Sequence, residues 1–140
     1  MLILNILSIL LVAVILIVII SVLININRKL DKKIQLEKSR IEFYQKQIKK
    51  IRSSSSPQNS IKQLNDLARE FFKEKLSLKY SKTYIELAEI FKKKRKNNEE
   101  NFCNSMNEIM YSKTIITMKR INELIDMFAE IVEEYNTFKN

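Results

Sequence analysis

The feature that most constrains this chain is its first segment. Between Leu2 and Asn27 there is no charged residue, and Ile9 to Ile20 (ILLVAVILIVII) is apolar without interruption. A chain of 140 residues cannot bury such a segment on all sides, and water cannot solvate it. A bilayer can, because roughly 20 apolar helical residues rising about 1.5 Å each cross a hydrocarbon core of about 30 Å. A helix also satisfies its own backbone hydrogen bonds there, which lipid cannot do. A cleaved signal peptide needs a basic leader, a shorter apolar run and a small-residue cleavage site. Here no Lys or Arg precedes the run, and Leu23-Ile24-Asn25-Ile26-Asn27-Arg28 follows it. An uncleaved anchor is therefore expected over residues 1–27. Arg28, Lys29, Lys32 and Lys33 cluster on its C-terminal side, so the positive-inside rule puts the N-terminus outside and the remainder in the cytoplasm, at a plasma membrane.

What remains fits one small domain. The chain has no Gly, Trp or His, and its only Pro is Pro57. Without Gly, positive-φ turns and phosphate-cradling loops lose their default residue. That argues against tight hairpins and nucleotide-binding loops, and for helices joined by Asn- and Ser-rich connections. The expected fold class is all-α.

From Asn27 to Arg52 the apolar pattern narrows to one stripe. Leu30, Ile34, Ile41, Tyr44, Ile48 and Ile51 fall on alternating four- and three-residue steps, with Glu37 at the one polar position. This is a heptad pattern, with two readings. One is a coiled-coil stalk over residues 28–52 through which the chain pairs with itself; the other is a single amphipathic helix lying on the membrane or on the chain's own downstream domain. The same stretch holds ten Lys/Arg against Asp31, Glu37 and Glu42. Anionic lipid attracts such cations by about 1 kcal/mol each near the surface, although topogenesis already accounts for the first four.

Ser53-Ser54-Ser55-Ser56-Pro57-Gln58-Asn59 reads as a linker over residues 53–59. Four helical periods follow in a 60–140 domain. The first opens at Ser60 with Gln63 as a capping box, and carries Ile61, Leu64, Ala68, Phe71, Phe72 and Leu76 on one face. The second has Thr83 and Glu86 as its capping box and Tyr84, Leu87, Ala88 and Phe91 as its face. It runs into Lys92-Lys93-Lys94-Arg95-Lys96, cations that suit a helix C-terminus. The third begins at Asn98 with Glu99 and Glu100 at its positive end, and Phe102, Cys103, Met106, Ile109 and Met110 form its face. After Ser112-Lys113-Thr114, the fourth starts near Thr117 and repeats Ile121, Leu124, Ile125, Phe128, Ile131, Val132 and Tyr135.

Catalytic constellations are not found. Without His the usual general base and the commonest transition-metal ligand are missing. Cys103 sits on an apolar face and reads as a buried structural thiol. Glu130, Glu133 and Glu134 read as a solvated face, and the Glu70–Glu74 pair as surface charge beside Arg69, Lys73 and Lys75. No enzyme, metal or cofactor is expected. The one conspicuous candidate is Lys92–Lys96, either a solvated loop or a contact for anionic lipid, acidic protein or, as the weaker alternative, nucleic acid.

Leu67-Ala68-Arg69-Glu70-Phe71-Phe72, then Thr83-Tyr84-Ile85-Glu86-Leu87, then Tyr111-Ser112 ahead of the last helix resemble a small helical cytosolic domain of unknown function. That domain follows membrane helices, including in some transglutaminase-like membrane proteins. The resemblance covers Leu64 to about Phe128 and implies a helical cytosolic module with no catalytic residues. The expectation is thus a single-pass membrane protein presenting a four-helix interaction or scaffold domain, with the bilayer, itself and an unidentified protein as partners.

Overall fold

A computed structural model describes residues 1–113 and 115–136. It is all-α: α1 (Leu2–Arg52), α2 (Pro57–Lys75), α3 (Tyr84–Lys93), α4 (Asn97–Tyr111) and α5 (Met118–Glu134), with no strand among the described residues. The chain divides into two units, Met1–Ser39 and Arg40–Asn140.

The first unit is helix throughout after Met1. Every residue from Met1 to Lys33 is exposed, including twenty-one large apolar side chains between Met1 and Ile26. Among the described residues one helix is long and apolar enough to cross a membrane, and this is its apolar part.

The second unit differs from the expected layout at its start. Residues 40–52 belong to the domain, so the four expected helices are joined by a fifth helical segment. Ile41, Tyr44, Ile48 and Ile51 are buried in its core with the faces of α2 to α5. The heptad stripe is therefore used inside the chain over these four positions. They do not form a seam open to a second copy, and of the stripe only Leu30, which is exposed, and Ile34, half-buried, fall in the first unit. The contacts of residues 40–52 run to α2 and α5: Tyr44 stands edge-on to Phe71, and Gln45 bonds Glu133.

Aromatic rings fill the centre. Phe71 stands edge-on to Tyr44, Phe128 and Tyr135 at centroid distances of 5.0, 5.4 and 5.3 Å. Phe72 meets Phe91 at 5.1 Å, and Phe102 meets Phe128 at 5.4 Å. Such geometries add about 0.5–1.5 kcal/mol per pair to the burial itself.

The connections show how a chain without glycine ends its helices. The linker is shorter than expected: Ser53–Ser56 turns the chain, Ser56 caps α2 by accepting from the Asn59 N–H, and Pro57 opens the helix where its missing N–H costs nothing. The helix thus begins ahead of Ser60, which lies inside it and is not its cap. Wholly buried, the Ser60 hydroxyl finds no hydrogen-bond partner among the described residues. The Thr83–Glu86 capping box is present, as is the Thr117 cap of α5. Helices α2 and α3 both close in Schellman turns. The Leu78 N–H donates to the Lys73 carbonyl at 2.8 Å and the Lys96 N–H to that of Phe91 at 2.9 Å, with Ser77 at φ 51° and Arg95 at φ 56°. These are the left-handed positions that glycine usually fills. Of the expected Ser112-Lys113-Thr114 connection, Thr114 lies outside the described residues, as do residues 137–140 of the domain.

Candidate functional site

In the first unit, Arg28, Lys29, Lys32 and Lys33 follow the uncharged segment directly and are all exposed. At about 100° per residue they occupy one arc of roughly 140°, so four cations share one side of the helix.

In the second unit, Lys92–Lys96 spans the last turn of α3, the Schellman turn and the N-cap of α4. All five residues are exposed. The run's one ion pair among the described residues joins Lys96 Nζ to Glu99 at 3.9 Å. Lys96 also stands 5.7 Å over the Tyr135 ring.

Glu99 is the residue that sequence reasoning missed. By spacing it is one of two acids at the start of α4, yet it is 1 % exposed. Its place in the first turn lets the carboxylate meet the positive end of the helix, with Lys96 outside and the Tyr135 phenol bonded within. Burial, then the Glu99 charge and hydrogen bond, push that phenol up to about 12. Oε1 of Glu99 has no hydrogen-bond partner among the described residues. Nothing in the sequence around Glu99 distinguishes it from Glu100; only the arrival of Tyr135 from the end of α5 does.

A second cluster joins α1 to α2. The Tyr44 hydroxyl donates to Glu74 at 2.9 Å, and the Arg40 guanidinium pairs with the same carboxylate. Glu74 is thus a buttress and not the free surface charge expected. On α5, Glu130 and Glu134 are exposed while Glu133, half-buried, accepts from Gln45 at 2.9 Å.

Cys103 is fully buried, and burial together with Glu99 pushes its thiol up to about 12. Met110, expected inside, is 41 % exposed. Among the described residues no group of three or more His, Cys, Asp or Glu is placed to hold a metal ion. A groove of about 390 Å³ runs between α1 and α2, lined by Phe43, Gln47, Lys50, Gln63, Asp66 and Glu70 among others. Its side chains present hydrogen-bonding and charged groups, but no nucleophile paired with a base.

The residues that carry the resemblance to helical cytosolic domains have structural positions here. Leu67, Ala68, Phe71, Phe72, Tyr84 and Leu87 are buried, and Thr83 and Glu86 form a cap. Compared with known proteins, the chain matches no protein-family model, no curated protein and no solved structure.

Proposed function

We propose that this chain is a single-pass membrane-anchored interaction module, which holds a small helical domain at the cytoplasmic face of a membrane and acts through binding and not catalysis. The observation that carries the reading is the complete exposure of the uncharged apolar helix that ends at Asn27. Each large apolar side chain forfeits about 1.5–3 kcal/mol when left in water, and twenty-one of them are more than a small domain's stability can offset. Lipid removes that cost.

The exposed cations Arg28, Lys29, Lys32 and Lys33 support a cytoplasmic domain, since short basic flanks are retained on that side. The resemblance to cytosolic domains that follow membrane helices points the same way. Thiol labelling of a Lys62→Cys variant in intact and permeabilised cells tests the orientation. The exposed Lys62 is the better reporter, because the buried native Cys103 with its raised thiol stays silent on either side. Labelling only after permeabilisation is expected; labelling by an impermeant reagent in intact cells would reverse the topology.

A further inference from the structure

The sequence separates the basic flank of α1 from the basic run Lys92–Lys96 by some sixty residues, but the fold of the second unit brings that run to the end where its chain begins. The path is short and made of contacts. Arg40, the unit's first residue, pairs with Glu74 in the last turn of α2. Glu74 accepts from Tyr44, whose ring meets Phe71 at 5.0 Å. Phe71 meets Tyr135 at 5.3 Å, and Tyr135 lies under Lys96 at 5.7 Å and under Lys75 at 5.9 Å. Asn98, at the start of α4, donates to Glu134 at the end of α5. So the α3–α4 turn, the end of α2 and the end of α5 all gather at the Arg40 end.

The charges there do not cancel. Glu74 is taken up by Arg40 and Tyr44 and Glu99 is buried beside Lys96, while Glu134 is exposed and keeps its charge, bonded to the neutral Asn98 amide. Lys92, Lys93, Lys94 and Arg95 are exposed and form no ion pair among the described residues. What the α3–α4 turn itself offers outward is a cluster of cations, five against the one nearby exposed carboxylate of Glu134. Its Tyr135 ring lies beneath Lys96 and Lys75 and is not bare for a base to stack on.

We propose that the α3–α4 turn, Lys92 to Lys96, docks on anionic lipid headgroups of the bilayer into which α1 inserts. The proposal rests on the reading of α1 as an anchor. Connectivity chooses the occupant: the chain enters the second unit at Arg40, only a short stretch beyond the uncharged segment that ends at Asn27, so the unit is tethered to whatever bilayer holds α1. Anionic leaflets attract each nearby Lys or Arg, and the attraction fades within a Debye length of about 8 Å in physiological salt. Contact therefore depends on this end of the unit reaching the headgroup layer.

The test uses the full chain reconstituted in vesicles of phosphatidylcholine, alone or with phosphatidylglycerol, carrying a headgroup fluorophore. A donor dye is placed on Lys94→Cys, or on Lys62→Cys in the opposite half of the unit as the control. Energy transfer from position 94, and not from 62, is expected in the phosphatidylglycerol vesicles only. It should fall in high salt, and the docking equilibrium constant drawn from it should weaken about fivefold for each of Lys92, Lys93 and Lys96 changed to Gln. Equal transfer in neutral and anionic vesicles would overturn the proposal. So would salt-sensitive RNA binding that is lost in the same Gln variants while position 94 shows no transfer. Flotation of the protein with neutral vesicles in high salt reports the anchor separately: its loss would remove the anchor and the proposal together, whereas flotation without transfer removes the lipid contact alone.

Discussion

Arg95 and Ser77 hold the left-handed conformation that costs a residue with a Cβ roughly 1–2 kcal/mol. Each persists because a Schellman turn recovers two helix carbonyls around it. Changing either to Gly should stabilise the domain by about 0.5–1 kcal/mol, read as a raised denaturation midpoint with unchanged slope. A second expectation concerns the buried acids of the core. Burial raises the Cys103 thiol and the Tyr135 phenol to about 12, and lifts Tyr44 and Tyr84 as well. For groups raised in the folded state, the stabilisation is full below the unfolded values, about 8.5 for Cys and 10 for Tyr. It is lost as the pH rises through that window toward the folded values. Denaturant midpoints should therefore stay level to about pH 8 from these groups and fall steadily above about pH 9; a midpoint rising over that range would contradict the burial described. Little of this residue-scale detail was legible in the sequence. Thr83 and Glu86 declared their cap through spacing alone, whereas Glu99 and Glu74 are set by partners thirty or more residues away, Tyr135 and Tyr44, which no local pattern reveals.

The elements themselves were easier to read, because a 3.6-residue apolar period is a local property. The faces of α2, α3 and α5 lie where spacing put them, and on α4 Met110 turns outward. What differs is the partner of a face and not its existence. The stripe on α1 fits a coiled coil equally well, since a heptad pattern states that one side is apolar without stating what covers it. Inside the domain it is covered by α2 and α5, and the boundary lies at Arg40 and not at the serines of 53–56. Paired substitutions separate the two uses of the stripe. Ile48→Asp places a carboxylate in the core and should cost several kcal/mol, enough to unfold the domain. Leu30→Asp, at an exposed position, should shift its stability by less than about 0.5 kcal/mol. Circular dichroism melts of both variants in the same detergent decide it, and equal losses would return the stripe to an intermolecular seam.

On the scale of the molecule, two chemistries share one chain: an uncharged apolar helix that water cannot accommodate, and a helical domain closed around an aromatic core. The long apolar helix was legible from composition alone, because roughly 20 apolar residues in sequence admit few environments. The gathering of Lys92–Lys96 with Arg40 was not, since it depends on three helix pairings. The reading as a whole stands on residues 1–27 staying attached and staying in lipid. The most direct measurement is the intact mass of the protein recovered from a membrane fraction washed in high salt and urea. The expected result is a species that keeps the segment before Arg28 and leaves the membrane only with detergent. A protein recovered in the soluble fraction, or one whose mass shows that segment removed, would contradict the anchor and everything built on it.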